Sequence, residues 1–125
     1  MYRFYNANSL GKFTDDCTIR AISVAEHKSW DETYEELSDL AQGFGTLMDD
    51  SKFIRWYLDG KYDRIPTYNM TVGELSGEYP NNTLLITMKG HIVVSKNGTI
   101  IDVFDCRNRI VEYAWLVYWL FFLFF

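Results

Sequence analysis

Asn97-Gly98 sits between two β-branched, apolar runs, residues 91–95 and 99–104. An Asn-Gly pair supplies the two positive φ angles of a type I′ turn, whose twist suits an antiparallel hairpin. Such a turn fixes the register of both strands. Lys96 faces Thr99, Ser95 faces Ile100, Val94 faces Ile101 and Val93 faces Asp102, with His91 across from Phe104. His91, Val93, Asp102 and Phe104 then share one face, and His91 and Asp102 are diagonal neighbours roughly 5–8 Å apart at Cβ. A slip of one residue would move Asp102 to the other face. Asp102 also breaks an otherwise apolar strand, and a buried carboxylate needs partners. Two plainer readings stand beside this one: a solvated strand-end Asp and a hydrogen-bonded sheet His.

Upstream the spacing is helical. A first helix is predicted from Cys17 to about His27, with Asp15 or Asp16 as N-cap. Ser29-Trp30-Asp31-Glu32 matches a capping box, and Trp30, Tyr34, Leu37 and Ala41 form the stripe of the helix that follows, up to Gly43. Asp49-Asp50-Ser51 caps a short helix with Phe53, Ile54, Tyr57 and Leu58, ending at Gly60. Thr71-Val72-Gly73-Glu74 resembles another capping box, held to a turn or two by Gly73 and Gly77. Residues 1–13 read as an extended lead-in, and Thr83–Met88 as a strand. Helices first and antiparallel strands after is an α+β layout, with N-terminal helices packed on a C-terminal antiparallel sheet.

The 125 residues make one ordinary domain. We place it at 1–117, followed by a hydrophobic C-terminal tail at 118–125. An uninterrupted apolar run covers residues 113–125. As a helix that run would be about 20 Å long, short of a bilayer's hydrocarbon core. Its first residues, to Trp115 or Val117, are expected to form the last strand. The rest packs on a core face, docks on a partner or inserts shallowly at a membrane interface.

A net charge of −5 with no basic stripe argues against nucleic acid as a partner. The two cysteines are too few for a disulfide scaffold, and no CxxC or HxxxH spacing suggests a metal, so no metal and no cofactor are expected. The N-terminus has no apolar signal region, which points to the cytoplasm and to free thiols. Cys106 reads as a small apolar packing residue rather than a second reactive thiol.

Cys17 is different. It directly follows Thr14-Asp15-Asp16 at a helix start, where unpaired N–H groups stabilise a thiolate. A Cys early, then His91 and Asp102, is a chain order that a cysteine hydrolase uses. Arg20, one turn on, is expected to form a structural ion pair with Asp16 or a core carboxylate.

These residues resemble the papain-like cysteine peptidase superfamily, in which the nucleophile heads a helix and the His and Asn or Asp come from a following sheet. The chain is most similar to small, uncharacterised papain-like proteins of Firmicutes and their phages. The likeness rests on Asn6-Ala7-Asn8, Asp16-Cys17-Thr18-Ile19-Arg20-Ala21-Ile22, Gly90-His91, and Asp105-Cys106-Arg107-Asn108-Arg109 with Tyr113 and Trp115. It covers roughly residues 2–115. The resemblance implies a papain-like fold with Cys17 as nucleophile, His91 as general base and acid, and Asp102 as the orienting residue. It implies acyl transfer through a thioester on a peptide or protein substrate, as a peptidase or amidase. The superfamily's oxyanion Gln has no counterpart, because Gln42 is the one Gln here. Asn8 or Asn6 is the candidate in its place, beside the Cys17 N–H. The alternative is a catalytically idle papain-like binding or inhibitory protein, phage-encoded and acting on a host protein. Substrate side-chain preference and oligomeric state are not encoded in any motif here.

Overall fold

A computed structural model describes residues 1–8, 10–11 and 16–118. Along the chain come β1 (Tyr2–Phe4), α1 (Cys17–Glu26), α2 (Trp30–Gly43), α3 (Ser51–Asp59), β2 (Asp63–Arg64), α4 (Val72–Glu78), β3 (Thr83–Met88), β4 (His91–Lys96), β5 (Thr99–Asp102) and β6 (Tyr113–Val117). The fold is α+β.

The expected turn forms. Asn97 and Gly98 both take positive φ, 52° and 76°, and β4 pairs with β5 as Lys96–Thr99, Ser95–Ile100 and Val94–Ile101. Both capping boxes form as well, Ser29 with Glu32 and Thr71 with Glu74, each bonding reciprocally between side chain and backbone N–H. Phe53, Ile54, Tyr57 and Leu58 are all buried.

The sheet departs from the expected antiparallel block. Its strand order is β1-β5-β4-β3-β6-β2, and β1 runs parallel to β5, Tyr2 beside Ile100 and Phe4 beside Asp102. A parallel neighbour requires a long connection. Here the whole helical half supplies it, so a three-residue piece of the lead-in becomes an edge strand. The other edge, β2, follows α3 directly and pairs with β6.

Helices cover both faces of the sheet. On one face, α1, α2 and α3 bury Ile22, Leu37, Phe53 and Leu58 against Leu85, Ile92, Val94, Ile101 and Trp115. On the other, Val72 and Leu75 of α4 pack on Leu84, Ile86, Val93 and Ile100. Burial on both faces explains why the central strands are apolar at nearly every position rather than alternating. Ser95 is buried there as well, and its hydroxyl meets that of Ser76 at 2.6 Å. The α2 stripe is rotated from the expected one: Thr33, Leu37 and Ala41 are buried, while Tyr34 is exposed and stacks on Trp30 at 5.3 Å. The Thr33 hydroxyl reaches the Ser29 carbonyl, which lets a polar residue take the inner position.

Strand β6 ends at Val117. Tyr118 meets Tyr62 edge-on at 6.0 Å. The rest of the predicted tail, 119–125, lies outside the described residues. Among the described residues no helix is long and apolar enough to cross a membrane.

Candidate active site

Helix α1 begins at Cys17, and Asp16 occupies its N-cap position. Of the two expected caps, Asp15 lies outside the described residues, and Asp16 makes no side-chain cap bond. With φ −122° and ψ 27°, Asp16 is outside the extended conformation of an ordinary N-cap, and its side chain makes no cap hydrogen bond. Its carboxylate instead accepts from Arg20 Nη1 at 2.5 Å, Trp30 Nε1 at 2.8 Å and Asn8 Nδ2 at 3.2 Å. Backbone N–H groups in the first turn of a helix have no intrahelical partner, and the Asp16 side chain does not cap those of α1.

The second part of the site lies where two strands separate. The β4–β5 ladder stops at Val94–Ile101. Beyond that point β4 stays with β3 as far as the Met88–His91 pair, while Asp102 pairs with Phe4 of β1. Val93 packs with the α4 core, so strict alternation would turn His91 and Asp102 away from α1. The strands part at this level, and that lets α1 side chains reach both residues.

His91 Nε2 lies 2.6 Å from Asp102 Oδ2. Asp102 Oδ1 accepts the Val103 N–H at 2.7 Å and faces Arg20 Nη2 at 3.4 Å. The Phe104 ring covers His91 at 4.7 Å between centroids. The Cys17 thiol lies close enough to the His91 ring and the Ile92 backbone N–H for both to act on its charge. With Nε2 held by Asp102, Nδ1 is the ring nitrogen that Asp102 leaves for the thiol. Cys17 and His91 line one cleft of about 210 Å³, with Ile54 and Met88 among its apolar walls and Asp49, Arg55 and Glu112 among its polar ones.

Electrostatics follow from this packing. Burial pushes the Cys17 thiol up, but the His91 and Ile92 hydrogen bonds and the charges of His91 and Arg20 outweigh it, and its pKa falls below the ordinary value. Burial works against the His91 cation too. The bond to Asp102, the contact with Cys17 and the charges of both carry its pKa up to about 9. The two shifts have opposite signs, which favours a thiolate–imidazolium pair over a neutral one.

Cys106 lies behind His91, and one donor atom from each of His91, Asp102 and Cys106 falls within 4.8 Å of the others. Those three could supply ligands to a soft divalent metal. Such an ion would have to separate His91 from Asp102 and sit close to the Arg20 guanidinium. Cys106 is buried, and burial and the nearby Asp102 raise its thiol to about 11.

The structure thus brings Cys17, His91 and Asp102 together. It gives Asn8 other partners: the side-chain amide donates to Asp16, and Oδ1 accepts the Leu10 N–H. Asn6 Oδ1 accepts the Asn8 N–H. Neither Asn lines the Cys17 cleft. Arg20 was expected to pair with Asp16 or a core carboxylate and meets both, but sequence reasoning did not identify Asp102 as that carboxylate. The spacing of Asp16 and Arg20, one helical turn, signals their pairing; no local pattern signals a contact 82 residues away. Trp30, read only as a packing residue, holds Asp16 through its indole N–H.

The chain matches no protein-family model, no curated protein and no solved structure.

Proposed function

We propose that this chain is a papain-like cysteine hydrolase, a peptidase or amidase acting on a peptide or protein substrate. One observation supports the reading: an imidazole bonded to a buried carboxylate lines the same cleft as a helix-heading thiol. The Cys17 thiolate attacks the acyl carbon, forming the C–S bond and moving the carbonyl π pair onto oxygen. Backbone N–H groups at the start of α1 hold that oxyanion. As the C=O re-forms, the C–N bond breaks and the His91 Nδ1 proton passes to the leaving amine. His91 then takes a proton from water, whose oxygen attacks the thioester and releases the Cys17 thiolate. Asp102 keeps Nδ1 aimed at sulfur and stabilises the imidazolium. A reducing compartment such as the cytoplasm suits this chemistry, because the thiol must stay unoxidised.

p-Nitrophenyl acetate tests the reading without knowledge of the natural substrate. The expected result is a burst of one nitrophenolate per chain, with an acetyl thioester on Cys17 by mass spectrometry, absent in Cys17→Ser and strongly slowed in His91→Ala. A second reading, an idle binding or inhibitory protein on the same fold, is favoured by the engagement of the Asn8 amide with Asp16. Acylation no faster than that of free cysteine would select it.

A further inference from the structure

Arg20 uses both ends of its guanidinium. Nη1 lies 2.5 Å from Asp16 and Nη2 lies 3.4 Å from Asp102, with the side chain buried. One planar cation therefore spans the residue before the nucleophile and the acid behind the general base. A carboxylate at the Asp16 position ordinarily accepts the N–H of the second or third helical residue, here Thr18 or Ile19. Doing so would consume donors of the first turn and place a negative charge where an oxyanion must develop.

We propose that Arg20 is a positioning residue: by clamping Asp16 toward Asp102 it keeps the Asp16 carboxylate off the start of α1, so that this carboxylate does not compete with the oxyanion for that helix's first N–H groups. The inference rests on the hydrolase reading and adds the source of its oxyanion donors. It also accounts for the fate of Asn8, whose amide helps to hold Asp16 rather than facing the cleft. Arginine suits the task because its rigid fork can meet two carboxylates at once, whereas an ammonium is a point charge. Besides Asp16 and Asp102, the titratable groups nearby are Cys17 and His91, the Tyr2 hydroxyl on the Asp102 carbonyl, and Cys106.

Two reactions of the same thiol separate this role from a merely structural one. Alkylation by iodoacetamide displaces iodide at a saturated carbon and forms no oxyanion. Acylation by p-nitrophenyl acetate passes through one, expels p-nitrophenolate and restores the C=O. The ratio of acylation to alkylation rates therefore reports oxyanion stabilisation even if overall reactivity falls. In Arg20→Gln that ratio should drop by about 10-fold or more, as Asp16 is released to cap the helix. Arg20→Lys, which retains the charge, should lower it too. Adding Asp16→Ala to Arg20→Gln should restore the ratio toward its wild-type value, because the competing cap is gone. An unchanged ratio in both Arg20 variants would overturn the proposal, and so would a ratio that stays low in the double variant. Failure of the hydrolase reading looks different: the unsubstituted protein itself would then acylate no faster than free cysteine.

Discussion

His91 and Asp102 meet at 2.6 Å although they are diagonal, not directly opposed, in the β4–β5 hairpin. The ladder has already ended beside them, and the side chains close the gap where the strands part. A hydrogen bond this short between a buried imidazole and a buried carboxylate is favoured when the ring carries a proton. The contact therefore ties strand register directly to the charge state of the site.

Asp102→Asn keeps a hydrogen-bond acceptor for the ring but removes its negative charge. The imidazole of His91 should then titrate well below the value of about 9 that it holds beside Asp102. Acylation by p-nitrophenyl acetate should fall by about 10²-fold or more. An NMR titration of the His91 ring protons checks the first expectation and burst kinetics the second.

Stability should depend on pH through the same pair. His91 is raised from its ordinary 6.5 to about 9, so its contribution is full below 6.5 and is lost as pH rises through about 9. Cys17 is lowered, so its contribution is present above the ordinary thiol value and lost as pH falls through its folded value. The difference in urea midpoint between the wild type and His91→Gln should shrink as pH rises past about 9. A difference that grows with alkalinity would contradict the assignment of the charge to His91.

Cys106 should be silent in the native protein. It is 2 % exposed, and its thiol is raised to about 11. Iodoacetamide at neutral pH should label Cys17 alone, with Cys106 reacting only after denaturation. Peptide mapping by mass spectrometry reads this directly, and Cys106→Ala should retain the acylation burst.

The hairpin and both capping boxes were legible in the sequence because each is a local rule: positive φ at Asn97-Gly98, and reciprocal bonds three residues apart at Ser29 and Thr71. The turn placed His91 and Asp102 as diagonal neighbours, and the parting of the strands beyond Val94–Ile101 accompanies their contact. Strand β1 was not legible as a strand, since Tyr2–Phe4 is too short for a periodicity and pairs with residues almost a hundred positions away. Asp16 takes the expected N-cap position, but its carboxylate makes no cap bond, which the capping rule does not foresee because it considers the helix end alone. Arg20, Trp30 and Asn8 compete for the same oxygens, and only the tertiary fold brings Trp30 and Asn8 there.

Ser29 offers a test of the local reading. Its hydroxyl accepts the Glu32 N–H at 3.0 Å at the exposed start of α2. Ser29→Ala should cost about 1 kcal/mol by chemical denaturation. It should leave Cys17 reactivity unchanged, because the box lies at the start of a different helix.

The central claim is that His91 activates Cys17. The most direct measurement is the rate of Cys17 alkylation by iodoacetamide as a function of pH, in the wild type and in His91→Ala. The account predicts a reactive thiolate at pH values well below the ordinary midpoint of about 8.5, and a return toward that midpoint when the imidazole is removed. A wild-type profile like that of a free thiol, or a low midpoint that survives His91→Ala, would contradict it.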